Sequence, residues 1–204
     1  SSTQKYEQSN VGSNSKSAGD TALTSGGNIN IVASGVEAAN DVDIDAGKSV
    51  NIVSRTDESR YAHYEEESSV NIAVGGYEQH LIKDSVNDKT NVASSIKAGN
   101  NLRVDAAQDI FIVGSDLDAG NNLNLDADQT IQILSATESH QESHEEDDMG
   151  WGTTTIIETG GWASYSESEL KTEASQITRR GSTLTAGNDL TLNAKDDLTL
   201  EAAL

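Results

Sequence analysis

The chain lacks cysteine and proline altogether, holds one phenylalanine and two tryptophans in 204 residues, and sets only 13 basic residues against 34 acidic ones. Without cysteine there is no disulfide, no thiolate metal site and no cysteine nucleophile, although secreted repeat proteins also lack it and the compartment stays open. The missing proline favours a continuous stack of hydrogen-bonded strands, the architecture that tolerates a lost N–H worst. A formal charge of −21 repels nucleic-acid backbones and anionic lipid surfaces, so binding to either is excluded. No apolar run approaches the roughly 18 residues of a spanning helix, and no membrane insertion is expected. Ser1-Ser2-Thr3-Gln4-Lys5 is neither a signal peptide nor a methionine start, so the expectation is a soluble piece of something longer. With 34% hydrophobic residues the chain is apolar enough to fold.

What the sequence does have is repetition. Ala98-Gly99-Asn100-Asn101-Leu102-Arg103-Val104-Asp105-Ala106 recurs at Ala119 to Ala127 and at Ala186 to Ala194, with a worn copy from Ala38 to Ala46. A second echo, Gln108-Asp109-Ile110-Phe111-Ile112, returns as Gln129-Thr130-Ile131-Gln132-Ile133 and Asp196-Asp197-Leu198-Thr199-Leu200, and is matched by Gly27 to Ile31 and Lys48 to Ile52. Leu102 to Leu123 and Ile110 to Ile131 are each 21 positions apart, and the interval carries three apolar anchors, Leu102, Ile110 and Leu117. The same order runs through Ile29, Val36, Val42 and Val50. Alternation of Leu-x-Leu and Ile-x-Ile has the period of a strand, with Asn, Asp, Thr and Gln facing outward. Three short strands per turn of about 21 residues predict an all-β parallel β-helix, each turn pairing with its neighbours at about 4.8 Å per level, for a rod of roughly 25 Å. Ala-Gly-Asn between strands is expected to supply a positive-φ residue and the side-chain-to-backbone hydrogen bonds of a tight corner. Stacked Val, Ile, Leu and Ala fill so narrow a coil, which fits the 4% aromatic content.

Residues 1–204 therefore read as one β-helix repeat domain interrupted by two long insertions, 55–93 and 137–180. Each opens on an acidic stretch, passes a glycine-bearing apolar patch and returns through Ser- and Thr-rich sequence, as two projecting, hairpin-like pairs of antiparallel strands would; a flexible loop is the alternative. Aligning Ala18-Gly19, Ala98-Gly99 and Ala186-Gly187 gives a long period of 80 and then 88 residues, which makes residues 1–17 the end of a preceding insertion.

Chemistry-bearing residues are sparse. His140 and His144, among Glu142, Glu145, Glu146, Asp147 and Asp148, could ligate a divalent metal on a helix, but on a strand they form a solvated polar stripe, which is the reading adopted. His63, beside Tyr61, Tyr64 and Glu65, is a weaker candidate. Asp41, Asp43 and Asp45, and Asp126 with Asp128, look like calcium ligands only until the glycine-rich calcium nonapeptide is sought and not found; they read as the outward half of half-buried strands. No Gly-x-Ser-x-Gly elbow occurs. A polysaccharide-degrading β-helix enzyme needs a base or paired carboxylates along a groove, yet of the five arginines only Arg103 lies inside a rung. The chain is accordingly expected not to be an enzyme, with no catalytic residue, metal or cofactor assigned and the β-helical enzyme kept as the alternative. Trp151, Trp162, Tyr77 and Tyr165, large rings in polar insertions, are the candidate contact residues, unless they brace the hairpins internally.

The repeated Ala-Gly-Asn-Asn-Leu-x-Val/Leu-x-Ala, followed by x-Asp-Ile-x-Ile and x-Leu-x-Ala-Gly, resembles the haemagglutinin repeat of filamentous haemagglutinin and of contact-dependent growth-inhibition exoproteins. The resemblance covers the rungs well and the insertions loosely. It implies a large exoprotein exported by two-partner secretion to the surface of a Gram-negative bacterium, forming a filament. Such a filament serves adhesion, as in virulence, or delivery of a carboxy-terminal toxin. The implied partners are a target-cell or host surface component and the adjoining β-helix rungs of the parent chain. The family brings no catalytic residue.

Overall fold

The computed structural model describes residues 1–72, 75–156 and 160–201, leaving aside the side chains of 154–156 and 160–162. The chain forms two compact units: Ser1–Gln8, Glu58–Lys89 and Ser139–Ile177 make one, and Ser9–Asp57, Thr90–Glu138 and Thr178–Leu204 the other.

After β1 (Ser2–Gln8), the chain winds two rungs, β2 (Asn14–Ser17), β3 (Thr21–Ser25), β4 (Ile29–Val32), then β5 (Gly35–Ala38), β6 (Val42–Ala46), β7 (Val50–Val53). The strands β8 (Arg55–Asn71) and β9 (Gly76–Val92) follow. Two more rungs are β10 (Ser95–Ala98), β11 (Leu102–Ala106), β12 (Ile110–Val113) and β13 (Asp116–Ala119), β14 (Leu123–Ala127), β15 (Ile131–Leu134). The long strands β16 (Ala136–Ile156) and β17 (Gly160–Arg180) come next, and a fifth rung consists of β18 (Thr183–Ala186), β19 (Leu190–Ala194) and β20 (Leu198–Leu200).

The rungs stack into three parallel five-stranded sheets, β18-β13-β10-β5-β2, β19-β14-β11-β6-β3 and β20-β15-β12-β7-β4. Leu102 pairs with Leu123 and Ile110 with Ile131, as the 21-residue interval requires. This is the expected all-β parallel β-helix. Alternation sends Val42, Ile44 and Ala46 inward and Asp43 and Asp45 outward. Ile44, Ile52, Ile96, Val104, Ile110, Ile112, Leu125 and Ile131 have no exposed surface and form one continuous core. Each such side chain contributes about 1.5–3 kcal/mol by leaving water.

The corners are held by side-chain ladders that climb the whole stack. At the first, the N–H of Ser13 donates to Ser34 Oγ at 3.1 Å, Ser34 to Ser94 Oγ at 3.3 Å, Ser94 to Ser115 Oγ at 3.3 Å and Ser115 to Ser182 Oγ at 3.3 Å. Ser94, fully buried, also donates its hydroxyl toward the carbonyls of Val53 at 2.8 Å and Ile31 at 3.1 Å, so that its own buried polar group is satisfied. At the second corner Asp41 Oδ1 accepts the N–H of Asn101 at 2.9 Å, Asn101 Oδ1 that of Asn122 at 3.4 Å, and Asn122 Oδ1 that of Asp189 at 3.2 Å. Each serine hydroxyl thus accepts the amide of the rung before it, and each Asp or Asn oxygen the amide of the rung after.

Two expectations about the corners need correction. The Ala-Gly-Asn glycines do not take positive φ; among described residues only Gly75, Gly114 and Ala33 do. Glycine is required there by close stacking: a Cβ on Gly99 would lie 2.0 Å from the carbonyl oxygen of Ala39, on Gly120 2.2 Å from that of Gly99, and on Gly187 2.1 Å from that of Gly120. The first long interval is also 81 residues rather than 80, because Ser17 and Ala98 both pair with Ala38 (98 minus 17). The Ala18-Gly19 dipeptide sits one step off the true register. The same 81-residue step relates two clasps: Asn10 Nδ2 donates to the Thr56 carbonyl at 2.7 Å, and Asn91 Nδ2 to the Thr137 carbonyl at 2.8 Å.

The long strands form a separate sheet in the order β1-β8-β9-β16-β17, with β1 antiparallel to β8 and β16 antiparallel to β9. Instead of standing as two independent hairpins, both insertions join one sheet, which β1 extends.

Candidate contact surface on the antiparallel sheet

No described residue of Ser1–Gln8, Glu58–Lys89 or Ser139–Ile177 is buried. Long alternating strands of Ser, Glu, Thr, Gln and Tyr pair readily but offer no apolar face. Side chains instead meet others two positions along the same face. Arg60 Nη2 lies 2.6 Å from Glu58, Lys5 Nζ 2.7 Å from Glu7 and Lys171 Nζ 2.9 Å from Glu173. The Tyr64 hydroxyl donates to Glu66 at 3.0 Å and that of Tyr165 to Glu167 at 2.8 Å, and each carboxylate raises the pKa of its phenol. In water such pairs each contribute little.

Across the β9–β16 seam the register is more selective. His80 stands opposite Asp148, Asp84 opposite His144 and Asp88 opposite His140, so three histidine–aspartate pairs recur at four-residue steps. His80 Nδ1 is 2.5 Å from Asp148 Oδ1 and His144 Nδ1 2.5 Å from Asp84 Oδ1; His140 is bonded to Asp88 in the same way. The hydrogen bond to Asp148 raises the pKa of His80, that to Asp84 raises His144, and Asp148 is lowered in return by its bond to His80. Lys83 pairs with Glu145 between them, and the Ser85 and Ser143 hydroxyls lie 2.8 Å apart. His140 and His144 therefore sit on a strand, where the i, i+4 spacing places them on one face about 13 Å apart and not on one helical turn.

Of the ring residues singled out from sequence, Tyr77 and Trp151 are directly opposed on β9 and β16, with Trp151 half exposed and Tyr77 less so. Tyr165 on β17 is 63% exposed, its hydroxyl bonded to Glu167. Trp162 lies where side chains fall outside the described residues. A second aromatic group escaped the sequence reading: Tyr6 on β1 opposite Arg60, whose guanidinium lies 5.9 Å from the ring centre, and Tyr61, stacked on His63 at 6.5 Å. Tyr6, Arg60 and Tyr61 line an open groove with Lys5, Glu58 and Val86. Its signal lay in the tyrosines of Lys5-Tyr6-Glu7 and Arg60-Tyr61, which became neighbours only through the pairing of Tyr6 with Arg60 and of Lys5 with Tyr61.

On the rungs, Arg103 is held 2.6 Å from Asp105 in an ion pair. Asp105 stacks between Asp45 and Asp126, and partial burial, aided by like charge from Asp126 and Asp43, raises its pKa against the pull of Arg103. Asp43 and Asp45 face solvent, as the outward half of a strand does.

The fold and this polar, unburied sheet define a β-helical repeat segment. The family model described as Hemagglutinin repeat matches residues 1–72 and 75–204, and the chain belongs to that family. It is a filamentous-haemagglutinin-like segment, of a family of structural and adhesin segments in secreted or cell-surface exoproteins. No curated protein matches the chain. No solved structure matches it either.

Proposed function

We propose that the chain is a non-catalytic length of filament that makes contact with the surface of another cell, in an adhesin or in a contact-dependent growth-inhibition exoprotein that delivers a carboxy-terminal toxin. On this reading the parent protein leaves a Gram-negative bacterium by two-partner secretion, adjoining rungs continue the β-helix, and a target-cell or host surface component is the partner. The observation that carries it is the exposure of Trp151 and Tyr165, 50% and 63%, on a stretch of sheet where no described residue of Ser139–Ile177 is buried. Amphipathic rings held on strands give contact area at low entropic cost.

Fluorescently labelled chain, incubated with bacterial and host cells, tests this. The wild type should bind, and Trp151→Ser combined with Tyr165→Ser should lower binding about fivefold or more with the far-ultraviolet circular dichroism unchanged. Equal binding by the double variant defeats the assignment to these rings. Turnover of a polysaccharide by the purified chain defeats the non-catalytic reading and favours the β-helical enzyme.

A further inference from the structure

We propose that His80, Glu146 and Asp148 form a binding site for a divalent transition-metal ion of the zinc class, tying β9 to β16. One imidazole nitrogen and one oxygen from each carboxylate lie within 4.8 Å of one another. His80 Nδ1 is 2.5 Å from Asp148 Oδ1 and 3.8 Å from Glu146 Oε1. Bonds of about 2.0–2.2 Å to a tetrahedral ion hold ligand atoms about 3.3 Å apart. The histidine–aspartate contact must therefore open slightly and the histidine–glutamate contact close slightly, changes within the reach of side-chain torsions on an exposed face. The ion takes the place of the hydrogen bond between His80 Nδ1 and Asp148, and its proton is released to solvent.

Three further features favour an ion here over a plain ion pair. Glu146 is held from its other side: its Oε2 lies 3.7 Å from His144 Nε2, while His144 Nδ1 is engaged by Asp84 at 2.5 Å. This carboxylate–histidine relay fixes the ring, and His144 acts as a positioning residue for Glu146. Two carboxylates around one imidazole, on a chain of net charge −21, supply negative charge that a dication neutralises. His80 and Asp148 also border an open recess lined by Glu67, Ser69, Gly150 and Ser166, which leaves the ion's remaining position to water. A nitrogen with two carboxylate oxygens suits zinc, manganese or nickel, whereas calcium prefers oxygen alone.

Titration of the full chain with zinc chloride at neutral pH, read by competition with a chromophoric chelator, is the test. One ion per chain should bind, and the His80 ring resonances should shift in nuclear magnetic resonance spectra. His80→Ala and Glu146→Gln should each weaken binding about tenfold or more, and His140→Ala, at the farthest of the three histidine–aspartate pairs, should not. Glu146→Gln preserves size and pairing, so it remains informative if His80→Ala disturbs the sheet. Zinc should also raise the thermal midpoint of wild type and not of Glu146→Gln. Absence of binding at ~100 µM zinc, or binding that survives both variants, overturns the site.

Discussion

The β-helix and the antiparallel sheet are made of the same backbone interaction, yet they keep their side chains in opposite circumstances. In the β-helix the three middle rungs turn their alternate residues into a shared dry interior, and Ile44, Ile110 and Leu125 have no exposed surface. In the sheet, strands of 17 and 21 residues run several times longer than any rung strand, but of their described residues only Ala136, where β16 leaves the last rung before it, is buried. Hydrogen bonds set the geometry of both; apolar burial is concentrated in one. The β-helix should therefore carry the chain's resistance to unfolding, and the sheet should be the more readily opened unit, the one whose surface is available for contact.

Matched substitutions can break this contrast. The largest effect is expected from the core: Leu125→Ala should cost the β-helix about 3 kcal/mol, whereas Ile82→Ala, half buried on β9, should cost about 1 kcal/mol or less in denaturant melts. Similar losses at the two positions would mean that the sheet has packing of its own. Next come the corners. Gly120→Ala drives a methyl to within 2.2 Å of the Gly99 carbonyl and should destabilise by about 1–3 kcal/mol. Gly152→Ala, whose nearest atom would be Ser164 Oγ at 3.8 Å, should stay within about 0.5 kcal/mol. Thermal midpoints of the two variants decide it.

The smallest effect is electrostatic. The Asn101 amide donates to Asp41 and holds its carboxyl below the usual carboxylate range. A folded pKa below the unfolded value contributes stability that is present above the ordinary aspartate value of about 3.9 and is lost as pH falls through the depressed one. Asp41→Asn keeps the acceptor, as Asn101 and Asn122 do one and two rungs on, and should flatten this part of the acid limb. An unchanged acid profile, followed by circular dichroism, would show that the ladder's charge has no bearing on stability.

The rungs were legible because their information is local. A two-residue alternation and a 21-residue return suffice to place Leu102 against Leu123 without any knowledge of the rest. The x-Leu-x-Ala-Gly motif was visible too, but the serine ladder beside it was not, since the donor and acceptor of each link come from different rungs. The corner glycines were recognised for the wrong reason: the sequence marks a glycine without telling positive φ from a carbonyl pressed against its Cα. In the insertions the strand pairs were legible and the candidate surface was only partly so. Trp151, Tyr77 and Tyr165 were marked as rings, while Tyr6 beside Arg60 was missed.

Sequence alone was enough for the β-helix, its core and the family, because inward-facing Leu, Ile and Val repeated at one interval can bury themselves in only one kind of stack. Only the tertiary structure could unite the two insertions with β1 in one sheet, and set His80 against Asp148 and His144 against Asp84. Those strands carry no buried stripe, so nothing in their own pattern selects a register; the selection rests on pairing between segments 60 and more residues apart, and a shift of one residue would turn each histidine to the other face.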